Sequence, residues 1–362
     1  MFSFRESGLV LIIIIFTVLL IMFSGNVTYN DSATGKMYEI NKFLQPGNID
    51  KLVKNTSFFA IMAVGVTFTI ITGGIDLSIG SIYCLAAVVG AMFLNHFGPG
   101  ADGTHPVAHP WLIVFCGIIL CLAVGTFCGL VNGFLITALR LHPFIITLGT
   151  MAIYRGIAFI MTKAQAFTFF PPQFTDGLIR FQIGPHLYPV PMLIMILVAI
   201  AGSIFLTRTI LGRYIYAVGG NEMASQFSGI NVSKIKILVY ALSGLTAGIA
   251  AMIMLGYYGA ASSDVGKGYE LDVIAACVVG GASLIGGRGS ALGALLGALI
   301  IHIINNSIVI LDIDQNYSQV IIGTVIIIAV FIDQLSAVLR EKRLKEEARR
   351  MQSQTQTAPS GD

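Results

Sequence analysis

The sequence predicts an all-α fold: a polytopic transmembrane helical bundle of about ten spans, with broken helices and an inverted internal repeat. Three observations predict it. First, 56% of the 362 residues are hydrophobic and only 11% are charged, against about 25% charged in soluble domains. Second, long stretches without Asp, Glu, Lys or Arg recur along the chain, each about as long as a helix that crosses the hydrocarbon core. Third, two glycine-flanked acidic breaks occupy corresponding places in the two halves. Mean hydropathy is +0.84. Such a chain cannot cover itself with polar surface in water, which excludes a soluble globular protein, a disordered chain and a nucleic-acid binder. Runs of this length are not the alternating ten-residue segments of a membrane β-barrel.

The charge-free stretches cover 7–30, 55–75, 77–101, 103–139, 181–207, 237–263, 289–311 and 315–332. Two further spans carry charge: 143–162, which contains Arg155, and 270–287, which opens with Glu270 and Asp272. The first span follows Arg5. No small-x-small cleavage site comes after its apolar run, so it reads as a retained helix.

Orientation follows from the basic residues. The segment from Arg340 to Arg350 holds six basic and three acidic residues, which accounts for the whole net charge of +3. A basic tail directly after an apolar span marks a cytoplasmic end. With ten spans both termini are then expected in the cytoplasm, with 13 basic residues inside and 7 outside. The domains expected are a membrane-spanning unit over 1–340 and a charged cytoplasmic tail over 341–362. Its Gln/Ser/Thr-rich end suits disorder.

Glycines at i,i+4 spacing (Gly125, Gly129, Gly133; Gly293, Gly297) put small residues on one helix face, where backbones approach closely. The five cysteines, Cys84, Cys116, Cys121, Cys128 and Cys277, lie in apolar runs without CxxC or zinc spacing and read as packed fillers.

Polar residues at membrane depth are the candidate site. Asp76 lies in Thr72-Gly73-Gly74-Ile75-Asp76-Leu77-Ser78. The glycine pair breaks the helix, and Asp76 and Ser78 either cap the next one or contact a polar solute. The second break is Glu270-Leu271-Asp272, followed by Gly280, Gly281, Gly286 and Gly287. Five spans separate the breaks, so the second unit is inverted. Arg155 lies mid-span and needs either a partner, such as Asp76, or a water-filled cavity. Asn132, Asn305, Asn306 and His302 add polar atoms on other spans, and the asparagines suit interhelical hydrogen bonds. Asp76, Ser78, Asn132 and Arg155 are the candidate pathway residues. Walker A, HExxH and GxSxG patterns are absent, and no catalytic or metal set assembles. The chemistry left is transport.

The substantial inside loop runs from Arg208 to Lys236. Gly219-Gly220-Asn221 reads as a turn and cap, 222–228 as a short helix, and Ser228-Gly229 as its stop. Such a helix could offer a rigid knob to a soluble partner.

Four ordered blocks, GGIDLSIGS (73–81), GLVNGFLITALRLHPFIITLGTMAIYRG (129–156), GRYIYAVGGNEMASQFSGINV (212–232) and YELDVIAACVVGGASLIGGRGS (269–290), resemble the permease subunits of bacterial monosaccharide ABC importers of the ribose/galactose/xylose type. The likeness spans roughly residues 50–335. It implies an inner-membrane permease that is not itself an enzyme, working as a homodimer or with a related permease. It also implies a cytoplasmic ABC ATPase that binds ATP and Mg, and a periplasmic sugar-binding protein that delivers a ribose-like pentose or a hexose. The loop around Gly220, Asn221, Glu222, Ala224, Ser228 and Gly229 would couple to the ATPase. The segment 25–54 and the His/Pro/Gly-rich loop 98–110 depart from the family pattern. The competing reading is an ion-coupled secondary transporter, in which Asp76 and Arg155 bind protons or sodium.

Overall fold

The computed structural model describes residues 4–30, 37–100, 107–184 and 188–325, with 327, 328, 330, 331 and 335 beyond. Helices dominate because lipid cannot satisfy backbone polar groups, which must therefore bond within the segment. The long ones are α1 (Phe4–Phe23), α2 (Pro46–Ile71), α3 (Ile79–His96), α4 (Pro110–Leu139) and α5 (Pro143–Thr162). A short α6 (Pro172–Phe174) and a π-helical turn, Thr175–Ile179, precede α7 (Pro189–Arg208). Then come α8 (Ile210–Gly220), α9 (Glu222–Phe227), α10 (Val232–Tyr258), α11 (Tyr269–Val279) and α12 (Ala291–Ile310). Residues 317–325 are helical again.

Among the described residues, 8 helices are long and apolar enough to cross a membrane. The expected span 270–287 is not a continuous one. Its helix, α11, stops after 11 residues, about 16 Å at 1.5 Å per residue and half of the core thickness. Gly281, Gly286, Gly287 and Gly289 then take positive φ and lay the chain out in turns up to Ser290, which caps α12. The expected tail 341–362 lies outside the described residues.

A two-stranded hairpin interrupts the all-α pattern. Strands β1 (Asn26–Asn30) and β2 (Met37–Asn41) pair antiparallel, Asn26 opposite Asn41. Its base is tied to the bundle. Ser24 donates to Asn41 Oδ1 (2.8 Å), Asn41 donates to the Ile21 carbonyl (2.8 Å), and Lys42 pairs with Asp312 (2.7 Å). Asn48 and Asn306 exchange amide hydrogen bonds, so Asn306 joins two elements as its type suggested. The long segment 25–54 is thus partly hairpin and partly the first turns of α2. Lys54, just ahead of the charge-free stretch 55–75, is buried on α2 with its ammonium 3.9 Å from the Tyr257 ring centroid, a favourable cation–π placement.

Helices α2 and α10 pack against each other and α2 is buried over most of its length. The contacts of the two halves correspond. Helix α10 packs on α4 as α2 packs on α12; α3 lies on α10 as α11 lies on α2; α3 meets α4 as α11 meets α12. This reciprocity is what a repeat of α2–α3–α4 by α10–α11–α12 requires. Both glycine sets lie in these seams. A Cβ at Gly125, Gly129 or Gly133 would overlap the α10 backbone, and one at Gly293 or Gly297 would overlap the end of α11. Packing dictates those glycines.

Candidate functional site

Between α2 and α3 the chain unwinds over Thr72 to Ser78, in the middle of the bundle. Gly73 takes φ +77°, and Gly74 has the Tyr240 hydroxyl where a Cβ would sit. The break brings Asp76 inside, fully buried, as are Ser78, Asn132 and Ser243. Asp76 Oδ1 accepts from the Ser78 amide (3.1 Å) and from the Ser78 hydroxyl (2.6 Å), and Oδ2 accepts from the Ser243 hydroxyl (2.8 Å). Asn132 Nδ2 donates to Ser78 Oγ at 2.7 Å. The Tyr154 hydroxyl lies 3.0 Å from the Cys128 carbonyl and 3.3 Å from Asn132 Oδ1. The Ile75 carbonyl accepts from Thr147 and Tyr240, both at 3.2 Å. One polar knot therefore joins the break to α4, α5 and α10.

The geometry corrects the capping expectation. Asp76 closes an Asx-type turn onto Ser78, and the Ser78 hydroxyl donates to Asp76, so α3 starts without a side-chain cap. Such a network satisfies an acid at depth, where an unmet carboxylate would be costly. Three of the four candidate pathway residues, Asp76, Ser78 and Asn132, meet here.

Arg155 does not join them. Its guanidinium donates to the backbone carbonyls of Ser263 (3.1 Å) and Val265, in the connection between α10 and α11. Asp76 is not its partner. That connection lines a cavity of about 320 Å³ with Tyr83, Asp264 and Lys267.

The loop Arg208–Lys236 forms two helices. Helix α8 runs through Gly219 and Gly220, which are its last turn and not the expected free turn. Asn221 then caps α9, accepting from the Ala224 amide at 2.9 Å. Ser228 ends α9, Gly229 follows at φ +83°, and Asn231 caps α10 through the Lys234 amide. Glu222 pairs with Lys236 on α10 (2.7 Å), bracing α9 against the bundle. Met223 (68% exposed) and Phe227 (86%) project from it.

The last turns of α8, from which α9 follows, sit against the first break and against the turns between α11 and α12. A Cβ at Gly219 would overlap the Ile71 carbonyl, whereas Gly220 has open space around it. The Gly287 amide donates to that same Ile71 carbonyl (2.8 Å), and the Tyr216 hydroxyl donates to the Gly289 carbonyl (2.7 Å). Between α9 and the first break lies a cavity of about 220 Å³, lined by Gly73, Gly74, His142, Glu222, Lys236 and Tyr240 among others.

Sequence reading missed Ser243, Tyr154 and Tyr216, and placed Gly219 only in a turn, without its contact to Ile71. Ser243 and Tyr154 carried one available signal, a polar group in an otherwise apolar span. Gly219 carried none that separates it from Gly220.

The family described as "Branched-chain amino acid transport system / permease component" matches residues 48–330. The ribose import permease protein of Haemophilus influenzae is 39% identical over 80% of this chain and 86% of its own length. That of Escherichia coli K12 is 40% identical over 80% and 87%, and the D-allose transport system permease protein of the same strain is 37% identical over 81% and 85%. No solved structure matches. The match takes in both helix breaks, the seams between the two halves and the α8–α9 loop; the chain belongs to this family of transport-system permease components.

Proposed function

We propose that this chain is the membrane-spanning permease of an ATP-driven importer and forms the pathway for a monosaccharide. A periplasmic binding protein delivers the sugar at the end of the bundle that carries the hairpin. A cytoplasmic ABC ATPase, which binds ATP and Mg, docks on α9. The chain works in the bacterial plasma membrane beside a second copy of itself or a related permease, with both termini in the cytoplasm. Relatives named for ribose import, D-allose transport and fructose import support the substrate class. The excess of basic residues on the α9 side supports the orientation.

The observation that carries the reading is the seating of α9. It is capped at its start, stopped by Ser228-Gly229, and exposes Met223 and Phe227 as a knob. The end of α8, on which it is seated, touches the end of α2 and the turns before α12. A push on α9 is therefore passed by α8 to the end of α2 and to the turns before α12 at once, and Gly73-Gly74 leads directly to the knot. Energy delivered by a soluble partner needs such a rigid link.

The knot, in turn, supports a structural hinge role for Asp76, Ser78 and Asn132, and Arg155 holds the α10–α11 connection. An ion-coupled mechanism would need Asp76 or Arg155 open to an ion, and both are engaged by protein groups.

The test is copurification and transport. The chain coexpressed with its cognate ATPase and binding protein should import a monosaccharide only with ATP. Met223→Asp with Phe227→Asp should abolish ATPase copurification at unchanged membrane abundance. Sugar uptake by the purified chain alone, driven by an ion gradient, would overturn the reading.

A further inference from the structure

At the hairpin end of the bundle, a cavity of about 360 Å³ opens between α2, α11, α12 and the 311–318 connection. It is separate from the knot and shares only Tyr258 and Tyr269 with the cavity beside Arg155. Its volume lies at the small end of the roughly 300–1,000 Å³ range of ligand pockets, which suits a single ring and not an oligomer.

Its walls pair two kinds of surface. Phe59 and Tyr269 pack at 4.4 Å between ring centroids, their planes tilted by 42°, and form an aromatic side. Opposite chemistry comes from Asn55, Asp272, His302 and Asn305. His302 is more than nine-tenths buried, edge-on to Phe59 at 4.4 Å, and its Nε2 has no hydrogen-bond partner among the described residues. Such an atom sits at a cost that a hydroxyl arriving through the cavity would remove. Asn305 uses its oxygen to accept from Ser318 (2.8 Å), and Asn55 uses its own to accept from Tyr258 (3.4 Å). Asp272 makes no ion pair among the described residues. Planar acceptors and donors beside an aromatic face match a ring that carries hydroxyls on its edge and C–H groups on its face.

We propose that this cavity is a subsite for one neutral monosaccharide, holding the sugar at the hairpin end before it moves along the pathway. The proposal rests on the reading of the chain as a sugar permease. Hydrogen bonds and ring contacts weak enough to break suit it, because tight binding would stall release.

The experiment uses the full-length chain in lipid nanodiscs, with Val309→Cys at the rim of the cavity. Its labelling by a methanethiosulfonate reagent is followed with D-ribose, D-allose or D-fructose present, and separately with sodium or choline. Labelling of the parent chain provides the background. The expected result is that at least one sugar slows labelling, and that adding His302→Ala or Asn305→Ala raises the sugar concentration needed roughly tenfold. Either of two results overturns the subsite: no sugar protects, or both added variants leave protection intact. Protection by sodium or choline in place of sugar overturns it as well, by assigning Asp272 to a cation. Monosaccharide uptake by cells expressing the whole importer is measured in parallel. Uptake without protection rejects the subsite alone, whereas absence of uptake of any monosaccharide rejects the sugar-permease reading beneath it.

Discussion

Replacing Asp76 separates a structural acid from an ion-binding one. Its two oxygens accept three hydrogen bonds, from the Ser78 amide, the Ser78 hydroxyl and the Ser243 hydroxyl. Asp76→Ala removes all three acceptors at a fully buried position. Each orphaned donor costs about 1–3 kcal/mol. The donors share one acid, so the losses are not additive, and about 3–5 kcal/mol in all is expected. That is a large part of a typical stability of about 5–15 kcal/mol. Asp76→Asn is different. Its carbonyl oxygen can keep both bonds from Ser78, while its amide turns toward Ser243, whose hydroxyl then accepts. The cost should fall to about 1 kcal/mol or less. The assay is membrane abundance and thermal unfolding of the tagged protein in detergent, beside uptake by the whole importer. Asp76→Ala should be scarce and unfold early, while Asp76→Asn should be abundant and still transport. An abundant, stable Asp76→Ala would refute the knot as a structural device. An abundant Asp76→Asn without transport would show that the ionisable acid itself is required, as in ion coupling.

Other outcomes follow from particular contacts. Gly219→Ala should abolish ATP-dependent uptake, because a Cβ there meets the Ile71 carbonyl, while Gly220→Ala should transport within about twofold of wild type; uptake normalised to abundance distinguishes them. Asn132→Ala loses one bond to Ser78, but Ser78 keeps Asp76 and Tyr154 keeps the Cys128 carbonyl, so a destabilisation of about 1–3 kcal/mol should appear as a lower unfolding temperature. Arg155→Leu should free the Ser263 and Val265 carbonyls and make the α10–α11 connection exchange amide hydrogens faster, with the α9 region unaffected. A reporter active only in the periplasm, fused after Arg350, should stay silent.

What the sequence determined by itself was whatever is local. In lipid every backbone group must bond within its own segment, so composition over about twenty residues marks a helix. The span 143–162 is found with those limits, between Pro143 and Lys163. Helix α9 was legible for the same reason: Asn221, the residues 222–228 and Gly229 signal start, body and stop within a few positions. The hairpin was not, because its polar, mixed residues between Asn26 and Asn41 carry no apolar pattern, and the partner of Lys42 at its base, Asp312, lies at the other end of the chain. Span 270–287 misled because apolar composition outweighed its paired glycines, whose positive φ lays out turns. Tertiary structure alone decided the rest. It set Asp76 on Ser243, 167 residues away, and Arg155 on backbone carbonyls more than 100 residues away. It also made Gly219, not Gly220, the tight contact, because only folding brings the Ile71 carbonyl against one of two adjacent, chemically identical residues.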